Sequence, residues 1–127
     1  CGDLIWCTKE EELDGVTAIS GSGPAYVFRF IEALTEAGLR YGFNDVQAKR
    51  MAIATVLGSA ELAKRSGESP SVLREKVTSK GGTTYEALKV MNDRHFMEMM
   101  QDAMDACKKR AVELGDAFHE SVEAAEK

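Results

Sequence analysis

The sequence is poor in the residues that would signal several large classes of protein. It has three cysteines in 127 residues, and Cys1, Cys7 and Cys107 show no C-x-x-C spacing. An odd count without that spacing argues against a disulfide framework and a zinc site, and fits a reducing, cytoplasmic setting. The two histidines, His95 and His119, stand far apart and outside any H-E-x-x-H context. Both are read as partly exposed helix residues, and no metal is expected. No basic stripe exists, because 16 Lys and Arg are interspersed with 21 Asp and Glu for a net charge of −5. Nothing could neutralise a run of phosphates, so nucleic acid is not an expected partner. No apolar run approaches the ~20 residues needed to cross a bilayer, and no basic segment leads into a short apolar one, so neither a membrane span nor a leader is expected. Internal repeats and low-complexity stretches are absent as well.

With 44% apolar residues, the chain has material for one compact domain with a core of its own, and hardly for two. Alanine, leucine, methionine and glutamate dominate, β-branched runs are short, and both prolines, Pro24 and Pro70, sit where helices would start. The domain is expected to be all-α. Leu4 to Cys7 reads as a short strand, too small to form a sheet alone. Thr8 with Glu11 reads as a capping box opening a short acidic helix that carries Leu13 and Val16 and is interrupted at Gly21 and Gly23.

Ser22 as N-cap and Pro24 as first helical residue start a second helix, with Val27, Phe30, Ile31 and Leu34 at helical spacing until Gly42. It is expected to be a core helix. Asn44 with Gln47 opens a third, ended by Gly67 and apolar around much of its circumference. Its small residues, Gly58, Ser59, Ala60 and Ala63, would admit a close neighbour, and burial on several sides points to an oligomer. Ser69 and Pro70 start a short helix with Leu73 and Val77, and Thr83 with Glu86 reads as the capping box of the next. A last helix from His95 to Leu114 carries a stripe through Phe96, Met99, Met100, Ala103, Cys107 and Ala111. The six methionines are taken as ordinary core packing. Residues 116–127 are expected to be a polar tail, a frayed helical end.

Two glycine-rich stretches lead directly into helices: Ser20-Gly21-Ser22-Gly23-Pro24, and Ser79-Lys80-Gly81-Gly82-Thr83-Thr84. Glycine lets backbone N–H groups approach a ligand, and a helix start offers unpaired donors at the positive end of its dipole, where a carboxylate or phosphate can be held. On the residues alone this signal is weak, and a pair of capped turns without a ligand is the reading to prefer. Gly21-x-Gly23 is not a dinucleotide fingerprint, since Tyr26 stands where the third glycine belongs. No carboxylate pair or nucleophile triad is evident.

Longer motifs go further. Val16-Thr17-Ala18-Ile19-Ser20-Gly21-Ser22-Gly23-Pro24-Ala25-Tyr26-Val27-Phe28, followed by Phe30-Ile31-Glu32-Ala33-Leu34, resembles the opening of the C-terminal helical domain of the pyrroline-5-carboxylate reductases. Leu73-Arg74-Glu75-Lys76-Val77-Thr78-Ser79-Lys80-Gly81-Gly82-Thr83-Thr84, with Ala87-Leu88 and Phe96 after it, resembles the same family's substrate loop. The resemblance covers roughly residues 4 to 115. It implies an all-α helical bundle similar to the C-terminal-like domain of 6-phosphogluconate dehydrogenase, interlocking with a second copy as a homodimer, with a decamer of dimers as the larger assembly it allows.

By the same resemblance, residues 1–7 would be the remnant strand of an N-terminal dinucleotide-binding domain, residues 8–115 the dimerisation and substrate-binding domain, and residues 116–127 the tail. The cofactor would be NADPH or NADH, bound mainly by that N-terminal domain. The carboxylate of 1-pyrroline-5-carboxylate would lie on the Ser79 hydroxyl and the N–H groups of Gly82 and Thr83, with the Thr84 hydroxyl at the imine nitrogen as the catalytic contact. Pro24 would border the substrate ring and nicotinamide, and Lys76 and Val77 would reach the cofactor ribose. Lys80 departs from the family, which usually has proline there. The alternatives are a non-catalytic helical dimerisation module of the same fold, and a related dehydrogenase acting on another imine or acid.

Overall fold

A computed structural model describes residues 10–126. Every element among them is helical: α1 (Glu10–Val16), a π-helical segment (Thr17–Gly21), α2 (Gly23–Arg40), α3 (Asp45–Ser66), α4 (Pro70–Lys76), α5 (Thr83–Asp93) and α6 (Phe96–Glu126). The fold class is therefore all-α. The strand expected at Leu4 to Cys7 and the Thr8 cap lie outside the described residues.

Local chemistry explains most boundaries. Asn44 is extended and its side-chain oxygen accepts the Gln47 N–H at 2.9 Å, while the Gln47 side chain accepts the Asn44 N–H at 3.1 Å. This reciprocal pair satisfies two helix-start donors. α3 ends where Gly67 turns left-handed, φ 70°, a conformation that costs glycine nothing. Ser69 caps α4 through the Val72 N–H, with Pro70 in the first turn. At Gly38, α2 comes so close to α3 that a Cβ there would lie 2.9 Å from the Ala48 Cβ. Two small residues permit that contact.

Four sequence expectations need correction. The helix after the glycine loop is capped by Gly82, not Thr83: the Glu86 N–H reaches the Gly82 carbonyl at 3.2 Å, and Thr83 is already helical. Gly82 is extended, φ −87° and ψ −178°, and the helix starts directly after it, one residue sooner than expected. His95 is not a helix residue but half of a short link between α5 and α6, with φ 59°. α6 continues to Glu126, because its last stretch is rich in alanine and glutamate and has no proline to stop it.

The fourth concerns the core. The described residues group into two compact units, the described part of Cys1–Tyr26 with Met97–Lys127, and Val27–Phe96. Among the described residues the only buried hydrophobic ones are Ala18, Ala48 and Ala52. α2 is not a covered core helix: Val27 and Phe30 are 43% and 44% exposed. α3 buries Ala48 and Ala52 but leaves Val46 66% and Leu57 62% exposed. Nothing lies within 4 Å of a Cβ placed on Gly58, so its small-residue stretch has no close neighbour there. Helices that are apolar on several sides cannot all be covered by so few others in one chain.

Candidate functional site

The second glycine stretch lies in the unit Val27–Phe96, between α4 and α5. α4 closes where the Val77 N–H turns back to the Arg74 and Glu75 carbonyls, and the Thr78 hydroxyl donates to the Arg74 carbonyl at 2.6 Å. The chain then makes a tight turn in which the Gly82 N–H donates to the Ser79 carbonyl at 2.9 Å. Gly81, at φ 77°, takes the left-handed position of that turn, which a residue with a Cβ would occupy only under strain. Lys80 stands before it, exposed at the apex.

This geometry fixes which donors are available. The Gly82 N–H is committed to the turn, and the first α5 bond is made by Glu86. The N–H groups of Thr83, Thr84 and Tyr85 therefore open the helix without an intrahelical acceptor, at the positive end of its dipole. The Ser79 and Thr83 side chains are exposed and Thr84 is half-buried. Ser79, Gly82, Thr83 and Thr84 are thus brought together on one short turn, able to receive an anion with a hydroxyl beside it.

Lys76 and Val77 close the preceding helix. The Lys76 ammonium is paired with the Glu68 carboxylate, and Val77 is 66% exposed. Next to the loop a groove of about 380 Å³ is lined by Arg74, Glu75, Thr78, Tyr85, Leu88 and Lys89, among others. Its charges are mixed, and it contains none of the loop's candidate residues.

Pro24 belongs to the other unit, in the first turn of α2, and its surroundings are built differently. The π-helical segment closes with the Ser22 N–H on the Thr17 carbonyl at 2.8 Å. The Tyr26 hydroxyl reaches back to donate to the carbonyl of buried Ala18, also at 2.8 Å. From α6, the Cys107 thiol donates to the Ser22 hydroxyl at 3.2 Å. Hydrogen bonds from Ser22 and then Tyr26 favour the thiolate and hold Cys107 below the ordinary thiol pKa, against a weaker opposing push from partial burial. Tyr26 is raised, chiefly by its hydrogen bond with Cys107. The sequence reading missed this trio because Cys107 is remote in sequence, looked like core packing on the α6 stripe, and pairs with Ser22 only through the fold. Among the described residues no cluster of His, Cys, Asp and Glu could hold a metal ion, and no helix is long and apolar enough to cross a membrane.

An all-α chain with large uncovered helix faces has the features of an association domain. Residues 10–114 match the family model for pyrroline-5-carboxylate reductase dimerisation, and the chain belongs to that family. A pyrroline-5-carboxylate reductase of Pseudomonas aeruginosa is 39% identical over 115 residues, covering 91% of this chain and 42% of the relative. One from Aquifex aeolicus is 42% identical over 114 residues, covering 90% and 43%. Among solved structures, a pyrroline-5-carboxylate reductase of Coxiella burnetii superposes with a TM-score of 0.83 at 41% identity, over 87% of this chain and 41% of that one. A Plasmodium falciparum pyrroline carboxylate reductase with NADP bound gives 0.77 at 35% identity, over 81% and 39%. The chain spans about four-tenths of the length of the relatives it matches.

Proposed function

We propose that this chain is the substrate-binding and dimerisation part of a pyrroline-5-carboxylate reductase, which reduces 1-pyrroline-5-carboxylate to L-proline with NADPH or NADH in proline biosynthesis. The observation that carries the reading is the turn Ser79–Thr84, whose uncommitted donors at the start of α5 suit a carboxylate, in a chain that matches the family through that segment. Domain division follows the same reading: residues 1–7 end the cofactor domain, residues 8–115 form the helical domain, and residues 116–127 follow it.

In this account the substrate carboxylate is held by the Ser79 hydroxyl and the Thr83 N–H. Gly82 gives the approach its room, while its own N–H stays on the Ser79 carbonyl. The Thr84 hydroxyl, half-buried one residue into the helix, meets the ring nitrogen. Pro24 borders the ring, and Val77 and Lys76 lie toward the ribose, the latter after exchanging its pairing with Glu68. When bound, mainly by the N-terminal domain, the cofactor would supply a hydride to the C=N carbon, and the ring nitrogen would take its proton from solvent. The chain's own contribution is orientation, which lowers the barrier by fixing the reacting carbon before the hydride arrives.

The partner in this reading is a second copy. The uncovered faces of α2 and α3 need a large apolar surface, and an interlocking homodimer supplies one with its own matching faces. A decamer of dimers is the larger assembly that the resemblance allows. Assaying the full-length protein that carries this chain for substrate-dependent NADPH or NADH oxidation, with proline identified as product, tests the reading. Turnover is expected. A protein that dimerises without turning over this substrate would instead be the non-catalytic module.

A further inference from the structure

We propose that Tyr26 and Cys107 are positioning residues that hold the Pro24 turn at the edge of the substrate site, an inference that rests on the reductase reading above. The turn Gly21-Ser22-Gly23-Pro24 has two glycines and joins a π-helical segment to α2, and one backbone bond crosses it, from the Ala25 N–H to the Ser22 carbonyl at 3.0 Å. Three further bonds restrain it, two of them from side chains. Ser22, two residues before Pro24, closes the π turn through its N–H on Thr17 at 2.8 Å and accepts the Cys107 thiol at 3.2 Å through its hydroxyl. Tyr26, two residues after Pro24, anchors to the Ala18 carbonyl at 2.8 Å. Ala18 is 4% exposed, so this end is tied to one of the few buried points in the chain. The proline is thus gripped on both sides, by α6 on one and by the π-helical segment on the other.

Residues that only packed α6 against the segment would not need this polarity. The Cys107 site requires a small donor that reaches the Ser22 hydroxyl, which serine supplies and valine does not. Tyr26 requires a hydroxyl at its tip, which phenylalanine lacks at nearly equal volume. Losing either bond widens the range of positions Pro24 samples and so misaligns the substrate ring with the nicotinamide, a loss of orientation that falls on kcat more than on KM.

The test uses the full-length reductase carrying this domain and four variants, Tyr26→Phe, Cys107→Val, Cys107→Ser and the double variant Tyr26→Phe with Cys107→Val. Assays are run well below every variant's melting temperature. Tyr26→Phe and Cys107→Val are each expected to lower kcat about fivefold with KM for the imine within about twofold, and Cys107→Ser to restore the parent kcat. The double variant should fall by less than the product of the two single losses, because both bonds restrain one turn. Parent-like kcat in both single variants, or a serine variant as slow as the valine one, overturns the inference while the reductase reading stands. A parent protein with no imine reduction overturns both.

Discussion

The two glycine turns look alike in sequence and are held in opposite ways. The one before α2 has side chains added to its backbone bonds: Tyr26 on Ala18 and Cys107 on Ser22. The one before α5 is held by backbone alone, through the Gly82 N–H on the Ser79 carbonyl and a left-handed Gly81. A turn that receives a ligand through its own N–H groups must leave those groups, and the hydroxyls beside them, unspent. A turn that only borders a ligand can spend them on its own rigidity. In the proposed reading the difference separates a binding element from a boundary element, although glycine content does not distinguish them.

The largest effect should come from the hydroxyl assigned to the reacting nitrogen. In the full-length enzyme, Thr84→Val is expected to lower kcat/KM about thirtyfold, the effect of losing a transition-state hydrogen bond of about 2 kcal/mol, while Thr84→Ser keeps most activity. Equal rates for the two variants would remove the contrast between the turns. Gly81→Ala comes next. At φ 77° an alanine should cost about 1–2 kcal/mol, seen as a lower Tm, and should also raise KM as the donors shift. A change in Tm without a change in KM would make the second turn structural only.

Caps give a smaller and sharper difference. Asn44→Ala should cost about 1 kcal/mol, and Thr83→Ala only a few tenths, because Gly82 and not Thr83 caps α5. Denaturant unfolding of the two variants checks this, and equal losses would return the cap to Thr83.

The side-chain-pinned turn has a pH signature. Cys107 is lowered from the ordinary thiol value, first by Ser22 and then by Tyr26. The folded state therefore favours the thiolate. Any stabilisation from it is fully present above the unfolded thiol's pKa and is lost as pH falls through the lower folded one. Alkylation of Cys107, followed by peptide mass mapping, should show a midpoint below that of the same cysteine in the unfolded chain. Tyr26→Phe should move the midpoint back up. A midpoint unchanged by that substitution would remove Tyr26 from the thiol's surroundings.

Much of the fold was readable because its rules are local. Asn44 with Gln47, Gly67, and Ser69 with Pro70 act within one turn of chain, and each stands where its spacing put it. The Thr83 cap failed because Thr83 is itself helical and the extended residue before it, Gly82, takes the cap position. The extent of α6 was underestimated because polarity was taken as a sign of fraying, whereas alanine and glutamate keep a helix going. Burial was the least legible quantity. Val27, Phe30 and Leu57 have the spacing of core residues, but spacing does not say whether the covering surface belongs to the same chain. In the candidate site, the open helix-start donors of Ser79–Thr84 could be read from glycine placed before a helix. The grip on Pro24 could not, since it depends on Cys107 arriving from α6.

The central claim is that the backbone-held turn receives the substrate's carboxylate. A crystal structure of the full-length enzyme with L-proline bound measures it directly. The account predicts a carboxylate oxygen about 2.7–3.2 Å from the Thr83 N–H, with the Ser79 hydroxyl on the same group and the Thr84 hydroxyl at the ring nitrogen. Proline bound elsewhere, with the Ser79–Thr84 turn unoccupied, would contradict it.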